Sequence, residues 1–136
     1  MQPATRLVLL QEHWQRMLDH VEGQLPEEAC GLIAGKGGQA LEIIQVTNTL
    51  HSPTRFRMEP VEQLQALLLI DDNQWELIGI YHSHPNGPPH PSETDIAESY
   101  YPEAVHLIWW RQAGNWHCRG FVIQAKQFHE IQLVVQ

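Results

Sequence analysis

The chain has little cysteine, little positive charge and no long apolar run, and each shortage argues against something. Two cysteines in 136 residues, Cys30 and Cys118, are too few for a disulfide framework. A hydrophobic core must therefore hold the fold, and reduced thiols in a cytoplasmic protein are expected. Cys30 itself reads as a small buried hydrophobe rather than a nucleophile. Eight Lys and Arg against sixteen Asp and Glu give a formal net charge of −8. That balance disfavours nucleic acid and anionic membrane as partners, because phosphates attract cationic side chains. The longest apolar stretches, Ala66–Ile70 and Val105–Trp110, fall far short of the roughly 20 residues that span a bilayer. No charged segment followed by a long apolar one opens the chain, so no secretory signal is expected. Low-complexity tracts and internal repeats are missing too, and a single domain over residues 1–136 is expected.

What the chain does have is histidine and carboxylate at telling intervals. His82-Ser83-His84 is followed by seven residues, Ser92, two more residues and Asp95. The segment Glu76–His84 carries an apolar run and ends at Pro85, which predicts a strand. On a strand, positions i and i+2 share a face, so His82 and His84 project together and Ser83 projects away. Their Cα atoms would stand roughly 6.5–7 Å apart, close enough for both rings to reach one ion at about 2.0–2.1 Å. Asn86-Gly87 then turns the chain, and the prolines of Pro88-Pro89-His90-Pro91 keep it from being helical. Ser92-Glu93-Thr94-Asp95 is a helix start, with Ser92 as N-cap and Asp95 at the third helical position. The stiff loop folds that start back beside the strand end, where Asp95 can be a third metal ligand with water as the fourth. Two imidazoles and a carboxylate are a donor set zinc accepts when one coordination position stays open. A capping box alone would explain Ser92 and Asp95; the conjunction with His82 and His84 favours metal. Far upstream, the carboxylate pair Glu27-Glu28 offers a general base.

These residues resemble the JAMM, or MPN-plus (Mov34/MPN/PAD-1), zinc metalloproteases, and most of all their short single-domain prokaryotic type. That family's pattern is Glu, a long gap, His-Ser/Thr-His, seven residues, Ser, two residues and Asp; Glu28, His82-Ser83-His84, Ser92 and Asp95 fill every place. The stretch from Pro26 to Gly35 also looks like the one carrying the family's glutamate, three residues before a glycine, which selects Glu28 over Glu27. The resemblance implies one Zn2+ per chain on His82, His84 and Asp95. It implies that Glu28 takes a proton from the attacking water and returns one to the leaving amine. Ser92 would donate to the developing oxyanion, worth about 3–4 kcal/mol if it acts like other such donors. The implied substrates are ubiquitin-like or sulfur-carrier proteins of the β-grasp type, cut after a C-terminal Gly-Gly tail. Glu27 is expected to be solvated, Ser83 to pack or to steady the ligands, and His90 to face solvent. His13, His20, His51, His106, His117 and His129 show no ligand spacing and are expected to be structural or surface residues.

Periodicity predicts the remaining elements. Leu7–Leu10 is a short strand, and Trp14, Met17, Leu18 and Val21 mark one face of a helix that Gly23 ends. Cys30–Ala34 and Ala40–Thr47 flank a glycine-rich turn as a hairpin. Arg55–Met58 alternates and is expected to be a strand; the segment Asn48–Met58 resembles the family segment that flanks the substrate groove, and an edge strand there could pair with an extended peptide. Pro60 opens a second helix with Val61, Leu64, Leu67 and Leu68 on its apolar face. Ala104–Trp110, Trp116–Gln124 and Phe128–Val135 read as strands, with Trp109 and Trp110 facing opposite sides and both in the core. The fold class is therefore α/β (α+β), a mixed central β-sheet with two larger helices and a small one. The resemblance implies a three-layer α/β/α arrangement related in shape to cytidine deaminases.

The resemblance thus makes the chain a zinc-dependent metalloprotease or isopeptidase. A non-catalytic docking module on the same fold, binding carrier tails, is the alternative; such modules lose ligands, and here all are present. Zinc deamination calls for a Pro-Cys-x-x-Cys ligand set that Cys30 and Cys118 cannot supply.

Overall fold

The computed structural model describes residues 4–136. In chain order it contains β1 (Arg6–Leu9), α1 (Gln11–Gly23), β2 (Cys30–Lys36), β3 (Gln39–Val46), α2 (Pro60–Asp72), β4 (Glu76–His84), α3 (Glu93–Ala97), β5 (Val105–Gln112), β6 (Asn115–Gln124) and β7 (Gln127–Val135). The strands form one mixed sheet in the order β1-β3-β2-β4-β5-β6-β7, which curls until it closes on itself. Closure comes from β1, which runs parallel to β7 over its whole length and touches β3 at Val8↔Gln39. The β4–β5 pair is also parallel, whereas β2–β3, β2–β4, β5–β6 and β6–β7 are antiparallel hairpin-like pairs.

Alternating strand residues build two cores, one on each face of the sheet. Ile33, Tyr81, Leu107 and Trp109 point to one side, where they meet Met17 and Val21 of α1. Leu32 and Ile80, one position away, point to the other side and meet Ala66 of α2 and Met58. Helix, sheet and helix therefore form three layers, the expected mixed α+β arrangement. Trp109 lies in the α1 core against Trp14, centroids 4.7 Å apart, and Trp110 is buried on the opposite face.

Two details differ from the sequence reading. Arg55–Met58 forms no strand; only Asn48 and Met58 make an isolated bridge. The Asn48 side chain captures the backbone groups of this segment that a ladder would use, a competition short polar side chains regularly win. The second difference lies in α2. Pro60 begins it as expected, and the Glu59 carboxylate caps it by accepting from Glu62 N at 2.7 Å. Its buried residues, however, are Ala66 and Ile70; of the expected face Leu67 is half-buried against the core, while Val61, Leu64 and Leu68 are 59%, 56% and 53% exposed. The run Ala66–Ile70 is apolar all the way round the helix, so periodicity could not choose a face. The small side chain of Ala66 lets α2 approach the sheet closely, and that contact decides.

Candidate metal centre

Strand register assembles the site. In the antiparallel β2–β4 pair Cys30 lies opposite His82, so Glu28, two residues before β2, comes beside His84 at the end of β4. Ser83 locks this junction: its backbone N donates to Ala29 O at 3.0 Å, and its hydroxyl accepts from Ala29 N at 2.8 Å. His82 and His84 share the opposite face with Ile80, as strand alternation requires. The loop after Pro85 then delivers α3, where Ser92 Oγ accepts from Asp95 N at 3.0 Å and Ser92 N donates to Asp95 Oδ2 at 2.9 Å. That reciprocal cap fixes the Asp95 carboxylate and aims it at the two rings.

The result is a triangle of donor atoms. His82 Nε2 and His84 Nε2 lie 3.1 Å apart, and each lies 3.0 Å from Asp95 Oδ2. All three side chains are nearly buried. The Glu28 carboxylate joins them, its nearest oxygen and one nitrogen of each ring all lying within 4.8 Å of one another. The five residues singled out from the sequence, Glu28, His82, His84, Ser92 and Asp95, are thus brought to one place.

The protonation pattern invites a cation. Pro88 O can only accept, so His84 Nδ1, 2.7 Å away, carries the proton of the neutral ring. The Nε2 lone pair then faces the Asp95 carboxylate, and two lone-pair bearers at that distance need a proton or a metal ion between them. Burial favours the neutral form of His82, the form that binds metal. Burial alone would raise the Asp95 carboxyl, but contacts with both histidines and Ser92 hold it far below the usual range. Burial pushes the Glu28 carboxyl up to about 8; Asp95 adds to the rise and His84 opposes it. Glu28 Oε1 is buried without a hydrogen-bond partner. A metal ion with its water fits this donor set, because it would partner those atoms.

The other candidates fall outside. Glu27 pairs with His51 at 3.0 Å on the surface, leaving Glu28 as the buried member of the pair. His90 is exposed and stacks on Phe128, with planes 8° apart. Two residues at the site carried no signal in their own spacing. Phe56 covers one face of His82, and Asn48 binds the backbone of Glu28. Beside the centre lies a cavity of about 400 Å³ whose wall includes Phe56, Arg57, Met58, His82, Asp95 and Tyr101. Among the described residues no helix is long and apolar enough to cross a membrane.

Comparison with known proteins places this geometry in context. Residues 10–122 match the family described as prokaryotic homologs of the JAB domain. The chain is 35% identical over 130 residues to a desampylase of Pyrococcus furiosus, covering 95% of this chain and 91% of that protein. It is 33% identical over 104 residues to a CysO-cysteine peptidase of Mycobacterium tuberculosis, covering 75% of this chain and 71% of that one. A solution structure from Desulfitobacterium hafniense superposes with a TM-score of 0.84 at 30% identity, covering 96% of this chain and 92% of the other.

Proposed function

The chain belongs to the prokaryotic JAB-domain family, and from that premise we propose that it is a zinc-dependent peptidase or isopeptidase. Its substrates are ubiquitin-like or sulfur-carrier proteins, cut after their Gly-Gly tails, as the family resemblance implies; a desampylase and a CysO-cysteine peptidase among its relatives support this. His82, His84 and Asp95 would hold the zinc. Donor atoms around a tetrahedral ion with bonds of about 2.0–2.1 Å stand about 3.3 Å apart. The 3.0–3.1 Å triangle of Nε2, Nε2 and Oδ2 is close to that spacing, and this is the observation that carries the reading. Glu28 Oε1, buried without a protein partner, would hydrogen-bond a water on that ion.

A bound zinc supplies Lewis acidity and a water whose pKa falls to about 7. Glu28 would accept a proton from that water and return one to the departing amine. Without metal, burial raises its carboxyl to about 8; the charge of a nearby zinc ion would lower it again, leaving the carboxylate ionised and able to accept. Ser92 steadies the substrate oxygen as it gains charge. Its hydroxyl accepts the cap bond and donates none among the described residues, so its proton is free for that contact. The 136 residues act as one domain, in the cytoplasm.

Glu28→Gln is the direct test. It should keep about one zinc per chain, by elemental analysis, and cut turnover of a Gly-Gly fusion at least about 100-fold. Normal cleavage by that variant would remove Glu28 from the mechanism, and a protein that binds no zinc would remove the reading altogether.

A further inference from the structure

We propose that Asn48 is a positioning residue, which sets the catalytic carboxylate of Glu28 and the wall of the neighbouring cavity as one rigid unit. Asn48 lies just past β3 and is 4% exposed. Its Nδ2 donates to Glu28 O at 3.0 Å and to Arg55 O at 3.1 Å. Its Oδ1 accepts from Leu50 N at 3.1 Å and from Arg57 N at 3.0 Å. A primary amide has two donor hydrogens and two acceptor lone pairs, so this side chain is fully used. A buried group with that many partners is costly to disturb, because each lost bond strands another buried polar atom.

The partners matter more than their number. Glu28 N donates to Ser52 O at 2.8 Å, and Glu28 O accepts from Asn48. Both main-chain polar groups of Glu28 are therefore held by the segment from Asn48 to Ser52. The Glu28 Oε1 atom has no protein partner of its own. Its aim follows from the backbone, and the backbone follows from Asn48. The same segment continues to Arg55, Phe56 and Arg57, which line the cavity, and Phe56 rests on His82. The base and the cavity wall thus share one anchor.

The test rests on the reading of Glu28 as proton carrier. Asn48→Asp keeps the size and both accepted bonds but turns the Nδ2 donor into an oxygen facing two carbonyls. Thr49→Val is the control, removing a hydroxyl bond to Arg57 O in the same loop without touching Glu28. Zinc-loaded proteins would be assayed on a peptide whose Gly-Gly end is amide-linked to a coumarin dye. We expect kcat of Asn48→Asp to fall about 10- to 100-fold, with KM within about threefold and zinc content unchanged. Thr49→Val should change neither constant. A loss confined to KM, or equal losses in both variants, overturns the proposal. Hydrogen exchange of metal-free wild type needs neither the variant nor activity. The amides of Glu28, Leu50 and Arg57 should open together, with protection within about tenfold of one another. Leu50 and Arg57 exchanging orders of magnitude faster than Glu28 would overturn it as well. If wild type leaves the peptide intact while those amides open together, the peptidase reading fails, while the anchoring of Glu28 and the cavity wall as one unit by Asn48 stands.

Discussion

The Phe56 ring lies against the imidazole of His82, centroids 4.5 Å apart and planes inclined by 31°. Phe56 comes from a loop without strand structure, yet it holds the orientation of a residue buried in the sheet. Phe56→Ala should weaken zinc affinity about tenfold, the low end of what supporting contacts contribute to a ligand. Stability should fall by about 2 kcal/mol, less than the full cost for a wholly buried ring. Chelator competition and urea titration read the two effects. Unchanged affinity would mean that β4 alone orients His82.

Glu28 makes a prediction that needs no substrate. In the metal-free fold its proton is held until about pH 8, whereas in the unfolded chain it leaves near 4.5. The folded state then binds more protons than the unfolded one across that window, so stability falls as pH rises through it. Glutamine has no such dependence. Metal-free Glu28→Gln should gain on wild type from about pH 5 to about pH 8, reaching about 2–4 kcal/mol. Below about pH 4 the difference should be constant. Denaturant melts across that range would show a flat difference if burial of the carboxyl carried no penalty.

Ser92 has a structural duty as the α3 cap and a proposed chemical one, and the two can be separated. Ser92→Ala should lose about 1 kcal/mol with the α3 cap. It should also lower kcat about 100-fold while retaining zinc. Ser92→Thr keeps an oxygen for the cap and should recover the stability. Thermal melts and steady-state rates on the same samples distinguish the two duties. An alanine variant with full kcat would leave Ser92 only its cap.

His20 should make the fold acid-sensitive. Burial lowers its pKa from 6.5 to about 4, and Nδ1 lies 2.7 Å from the Tyr81 hydroxyl in the α1 core. Above about pH 6.5 both states are neutral and the shift contributes nothing. Below it the unfolded chain takes up a proton the folded one refuses, so stability drains away until about pH 4. His20→Gln should remove up to about 3 kcal/mol of that slope in metal-free protein. A stability profile of unchanged steepness would place the acid sensitivity elsewhere.

The fold class and the clustering of the candidate ligands were legible in the sequence; individual loop and helix contacts were not. Strand alternation and the cap pattern located His82, His84, Ser92 and Asp95, because each signal is local in sequence. The pair Glu27-Glu28 was visible as a candidate base, but choosing Glu28 rested on resemblance; what brings it there is the Cys30↔His82 register, a pairing of distant residues. The segment Asn48–Met58 was legible only as a groove flank, by resemblance; the individual roles of Phe56 and Asn48 were not, for the same reason. An irregular loop has no period, and the side chain that replaces its ladder looks like any polar residue. On α2, Ala66 rather than Leu64 meets the sheet, since close approach there favours the smaller residue over the more hydrophobic one.

The seam between β1 and β7 has a consequence for biosynthesis. Arg6 through Leu9 find their ladder partners in Gln132 through Val135, almost the full length of the chain away. During translation the earliest-made strand has no long partner until residues 127–135 have left the ribosome. Such distant pairings are slow to form. Until β7 is made, Leu7 and Leu9 can be covered only by α1 and the short contact with β3, a natural hold for a chaperone.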